Sequence, residues 1–159
     1  MIRRVRQLLS LPAADGWLFL QAWIGLLIVD VGLRCGGRSG LERWAAAPAG
    51  GEIAPAALAS ALVRGRRLAE LVGLAARFHL HPVRCMTRSL TLQFLLTRRG
   101  LDAELRIGVR KDADRLRAHA WLELAGEPLG EPADVDQLFP PLVSLSSRET
   151  LSTRKRLPR

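Results

Sequence analysis

The chain has 159 residues, 48% of them hydrophobic and 25% charged, with a formal net charge of +9. That length holds one domain with a real core, and the composition excludes a disordered chain and points to an acidic partner: nucleic acid, an anionic membrane surface or an acidic peptide. With no tyrosine, 5% aromatic residues and no basic run interleaved with stacking rings, the sequence lacks the usual equipment of a single-strand binder, and we expect no nucleic-acid partner.

In chain order, residues 3–11 read as a short basic amphipathic helix that ends near Pro12, and residues 17–33 as a strongly apolar one. The uncharged run 16–29 is 14 residues long, bracketed by Asp15 and Asp30. It falls short of the roughly 18 to 20 that span a bilayer. No small-x-small cleavage site follows closely, and Arg34 directly before Cys35 spoils a lipoprotein signal. We expect a buried or surface-docked helix and a cytoplasmic protein, with membrane association through residues 17–29 as the alternative. Gly36, Gly37 and Gly40 then interrupt the pattern, and "AAAPAGGEIAPAA" at 45–57 is a loop that turns into a third helix at Pro55, a residue suited to a first helical turn. That helix runs to about Arg77, with an apolar stripe of Leu58, Leu62, Leu68, Leu71 and Leu74 beside a basic, solvated flank, "RGRR" at 64–67.

After a break at 79–82, the apolar residues Met86, Leu90, Leu92, Phe94, Leu95 and Leu96 spread around most of a helical wheel, as in a helix buried on most sides. Gly100 is placed as its C-terminal cap. From there the period changes to two. Residues 103–110 alternate as a half-buried strand, "KDADRL" is a charged turn, and the next strand puts Ala118, Ala120, Leu122 and Leu124 on one face and Arg117, His119, Trp121 and Glu123 on the other. A turn at "AGEP" leads into a short extended segment with a Pro-Pro break, and the tail 146–159 is polar and basic.

Cys85 falls where the buried helix begins. Unpaired backbone N–H groups and the positive end of the helix dipole favour negative charge there, which suits a nucleophilic thiolate. His119, 34 positions later on a strand, can supply the base, and a carboxylate should orient its ring. Two compete for that place: Glu131, which an antiparallel return would bring toward the imidazole, and Asp134. The bland alternative for each residue is packing: a structural thiol, a satisfied core histidine. Cys35, in a glycine-rich turn with no histidine partner, is a structural or incidental thiol. The two cysteines have no CxxC partner and the three histidines no zinc-finger spacing, so we expect free thiols in a reducing compartment. His79 and His81 are two apart without a third ligand pattern, so no metal is expected.

The ordered set formed by Cys85 with "TRSL" two residues on, the double-basic helix end with its glycine, the "IGVRKD" strand end and the "AHAW.E" strand resembles the transglutaminase-like cysteine peptidases of lasso peptide biosynthesis over residues 85–132, about a third of the chain. The resemblance implies a papain-like, transglutaminase-type α+β core over 79–145, with a helix on a small antiparallel sheet, a helical region over 1–78 packed on it and a basic tail. It implies a Cys85, His119, Glu131 triad, with Asp134 as the alternative third member; family members often carry aspartate where Glu131 stands. Trp121 and Arg88 are candidate substrate-binding residues, with packing and bracing as their bland roles. It further implies a leader peptidase without cofactor, acting on a ribosomally made precursor peptide. A separate PqqD-like leader-recognition protein would capture the leader, and an ATP-dependent cyclase would close the lasso ring. Acyl transfer by the same triad, and a non-catalytic basic scaffold, are the rival functions.

Overall fold

The structure, a computed structural model, describes the backbone of residues 12–45, 54–113 and 115–145, and the side chains within these except at 37–45 and 143–145. The expected helix at 3–11 and the basic tail lie outside the described residues. Three long helices come first: α1 (Ala13–Ala45), α2 (Pro55–Arg77) and α3 (Cys85–Thr97). Then follow β1 (Glu104–Asp112), β2 (Arg115–Leu124), β3 (Glu127–Pro128), the short α4 (Val135–Leu138) and β4 (Pro141–Leu145). The architecture is α+β, as the sequence implies.

α1 differs from expectation in length. The three glycines weaken the helix, each by roughly 1 kcal/mol against alanine, but none blocks its hydrogen bonds as proline would, and the helix runs on through them to Ala45. The segment Ala13–Gly36 has a mean hydropathy of 1.7 and is long and apolar enough, by length and composition, to cross a membrane. Its inner face belongs to the protein core: Ala22, Leu26 and Val29 are fully buried, Trp23 Nε1 donates to the Phe78 carbonyl at 3.2 Å, and Gly25 lies so close to Thr91 that a Cβ there would stand 3.0 Å from Thr91 Cγ2.

α2 carries Pro55 in its first turn and buries Ala61, Gly65, Leu68, Ala69, Leu71, Val72, Leu74 and Ala75. The arginines of "RGRR" remain on the solvated flank: Arg66 pairs with Glu127, and Arg67 with Asp15 and Glu70. Hydrogen bonds to those two carboxylates hold the Arg67 guanidinium above its ordinary pKa. α3 is buried on most sides, as its wheel predicts, and four polar side chains go inside with it, Thr87, Ser89, Thr91 and Gln93. Each of the last three meets a backbone carbonyl, of Ala120, Thr87 and Ala103 respectively, as burial of a polar group requires. Gly100, at φ +70°, takes the left-handed conformation that ends the helix.

The sheet is antiparallel with strand order β3-β2-β1-β4. The hairpin is tighter than the charged turn suggests: pairing continues to Asp112↔Arg115, with Ala113 at φ +52° in between. A strand also forms beyond the Pro-Pro break. Pro141 can stand at its first position because β4 is an edge strand, where a missing N–H costs no ladder bond. Leu105, Ala120, Leu122 and Leu124 form the buried face of the sheet and join one core cluster with Leu26, Val72 and Leu90 from the three helices. The opposite face carries Arg106, Gly108 and Arg110 of β1 against Trp121, His119 and Arg117 of β2.

Candidate active site

Cys85 is the first residue of α3, and Arg84 before it is extended (φ −76°, ψ 154°). No side-chain hydrogen bond caps this helix start, so its first-turn N–H groups are left without a side-chain acceptor. The thiol is free and half-buried.

Two residues one turn along tie this helix start to β2. Ser89, on the same helix face as Cys85, donates from Oγ to the Ala120 carbonyl at 2.8 Å. β3 covers the outer edge of β2 only at Glu123 and Leu124, and the Leu129 N–H then bonds to the Leu122 carbonyl, so Ser89 satisfies the next outward carbonyl along that edge. Arg88, three residues after Cys85, donates to Oε1 of Glu131, whose Oε2 lies 3.3 Å from Nε2 of His119. Both anchors therefore land beside His119. Among the described residues no hydrogen bond joins the thiol itself to the imidazole.

The imidazole is fixed on three sides. Trp121 stacks on it with centroids 6.1 Å apart and planes at 16°, Phe139 lies 5.0 Å away at 37°, and Glu131 takes Nε2. Trp121 is held in turn: its Nε1 donates to Glu123 at 2.9 Å, and Glu123 accepts from Arg106 at 3.0 Å. Phe139 has the Arg110 guanidinium 4.9 Å over its ring.

Of the two carboxylates left open by the sequence, the structure brings Glu131 to His119. The chain reverses through Ala125 (φ +52°) and Gly126 (φ +83°), then bends again at Gly130 (φ +72°). Gly130 packs against Ala69, 3.1 Å from where its Cβ would be, and the next residue is thereby turned back toward β2. Asp134 is exposed at the start of α4, where its backbone carbonyl accepts from Gln137 and Leu138.

The two candidate substrate-binding residues, Trp121 and Arg88, take positions that match their packing and bracing roles. Trp121 is 1% exposed, so it is a floor beneath the imidazole and offers no surface to a peptide. Arg88 has its guanidinium on Glu131, which makes it a brace between the nucleophile's helix and the carboxylate. His79 packs inward on Trp23 while His81 is exposed, so the two diverge, and Cys35 is exposed in the second half of α1. Phe139 and Gly108 were not singled out in the sequence. Gly108 carried a signal all the same, because an isolated glycine inside a strand marks a close backbone approach. A Cβ there would sit 2.2 Å from the Phe139 carbonyl oxygen.

A family model described as the transglutaminase-like superfamily matches residues 25–144, about three quarters of the chain. The chain belongs to the transglutaminase-like superfamily. The match takes in Cys85, His119 and Glu131, and begins within α1. At this level the chain falls among generally cysteine-dependent enzymes, peptidases or acyltransferases. No curated protein and no solved structure gives a match.

Proposed function

We propose that this transglutaminase-like protein is a cysteine peptidase that removes the leader from a ribosomally synthesised lasso precursor peptide, working with a separate leader-recognition protein. The observation that carries the chemistry is His119 held by Glu131 at 3.3 Å while residues one turn beyond Cys85 reach Glu131 and the neighbour of His119. The resemblance of residues 85–132 to lasso leader peptidases supports the substrate, and the net charge of +9 suits an acidic leader or partner.

With Nε2 facing Glu131 at 3.3 Å, Nδ1 is the nitrogen left to accept the thiol proton. Cys85 Sγ then attacks the scissile carbonyl, forming a C–S bond, and the oxyanion meets the uncapped N–H groups at the start of α3. The imidazolium gives its proton from Nδ1 to the departing amine as the C–N bond breaks, which leaves an acyl-enzyme and frees the core peptide. Water, deprotonated by the same nitrogen, cleaves the thioester and returns the thiol. Glu131 stabilises the imidazolium in both halves, and Arg88 keeps Glu131 in place. The core peptide passes to an ATP-dependent cyclase.

Mass spectrometry of the precursor incubated with this protein and its PqqD-like partner tests the proposal. One cut at the leader–core junction, absent in Cys85→Ala and His119→Ala, is expected. No cut with a leader-binding partner present would refute the peptidase, and a new amide in place of free leader and core would assign acyl transfer to the same three residues.

A further inference from the structure

The outer face of α1 is apolar. Trp17, Leu20, Ile24, Ile28 and Val31 follow one another at steps of three and four, so they form one continuous row, and all five are exposed. At 1.5 Å per residue the row is about 21 Å long. A helix that is apolar all round needs cover on both sides. Among the described residues α1 gets it from α2 and α3, on one side.

Charge decides what suits the other side. Between Pro12 and Gly36 the only acidic residues are Asp15 and Asp30, and both are neutralised, Asp15 by Arg67 at 2.6 Å and Asp30 by Arg34 at 2.9 Å. Arg3, Arg4 and Arg6 precede the row in sequence and Arg38 and Arg43 follow it. An apolar strip flanked in sequence by arginines, with no unpaired carboxylate along it, has the composition that suits an anionic lipid surface, where headgroups attract arginine and the acyl boundary takes apolar side chains. The packing favours a side-on position over a span, with 22% of the apolar window buried inside the protein. Ala22, Leu26 and Val29 are fully buried against the domain, and Gln21 accepts from Arg99 at 2.7 Å, so α1 cannot enter a bilayer lengthwise without dismantling the core.

We propose that α1 docks the protein side-on to an anionic membrane surface, its outer row lying in the headgroup–acyl boundary and its inner face remaining part of the core. This goes beyond the peptidase and does not rest on it.

Co-sedimentation of the full-length protein with vesicles tests it, comparing phosphatidylglycerol-rich vesicles with pure phosphatidylcholine. Binding to the anionic vesicles alone is expected, weakening as salt shortens the Debye length from about 10 Å at 0.1 M to about 3 Å at 1 M. Ile28→Asp, at a position 54% exposed, should lower partitioning roughly tenfold or more, whereas Leu116→Asp, the same charge change at the 76% exposed hairpin end, should leave it close to wild type. Circular dichroism shows whether both variants are folded. Equal binding to both lipids, equal loss in the two variants, or no binding at all would overturn the proposal. No binding together with a dimer in light scattering that Ile28→Asp dissolves would put a second copy on this face, and a non-binding monomer would leave it to the chain's own remaining segments.

Discussion

Replacing Gly108 by alanine puts the packing above His119 to the test. The added Cβ would stand 2.2 Å from the Phe139 carbonyl oxygen, 2.8 Å from its carbonyl carbon and 2.9 Å from its Cβ. A tolerable carbon–oxygen contact is about 3.3 Å, so the Phe139 backbone must recede by about 1 Å. It is held where it is: the Phe139 N–H bonds to the Val135 carbonyl at 2.8 Å, and the Pro140 carbonyl accepts from Val109 at 3.2 Å. Overpacking of this kind costs about 1–3 kcal/mol, and because Phe139 lies against the imidazole, a misplacement of about 1 Å should cut cleavage by about 100-fold. Gly73→Ala in α2 is the control. Nothing lies within 4 Å of its Cβ, and the substitution should stabilise by about 0.5–1 kcal/mol with cleavage unchanged. Urea unfolding gives the stabilities, and precursor cleavage in the presence of the leader-recognition partner gives the activities. If Gly108→Ala unfolds no earlier than wild type and cleaves as fast, the steric account of this glycine and the role given to Phe139 are both wrong.

Glu131→Gln keeps the shape but loses the charge beside Nε2, and single-turnover cleavage should fall by about 100-fold or more; Asp134→Asn, exposed, should leave both rate and stability near wild type, and the reverse outcome would reassign the carboxylate. Removing the Arg88 guanidinium should lower kcat far more than it raises KM, since its pair with Glu131 is the contact it makes here; an effect on KM alone would assign it to substrate binding instead. Ser89→Ala leaves the Ala120 carbonyl unpaired at the buried edge of β2 and should cost about 1–3 kcal/mol in urea unfolding, with Ser89→Thr the milder change.

Much of the site was legible in the sequence where local pattern suffices. The change from a 3.6-residue to a two-residue period after Gly100 places α3 and the hairpin, and alternation alone puts His119 on the face opposite Ala120 and Leu122. The helix start at Cys85 follows from Pro82 and the apolar run behind it. These features depend on residues a few positions apart, whose geometry the backbone dictates.

The choice between Glu131 and Asp134 is of another kind. It turns on a chain reversal through Ala125 and Gly126, a further bend at Gly130 and the room left beside Ala69, none of which is a periodicity. The burial of Trp121, the diversion of Arg88 to Glu131 and the seat of Phe139 over Gly108 likewise depend on partners tens of residues away. For α1, sequence alone determined that the helix is apolar all round, but a helix without a polar side cannot say which way it faces. Only packing against α2 and α3 decided that Ala22, Leu26 and Val29 turn inward and Trp17, Ile24 and Ile28 outward, because burial is a property of what lies opposite a side chain and the chain supplies that only once it has folded.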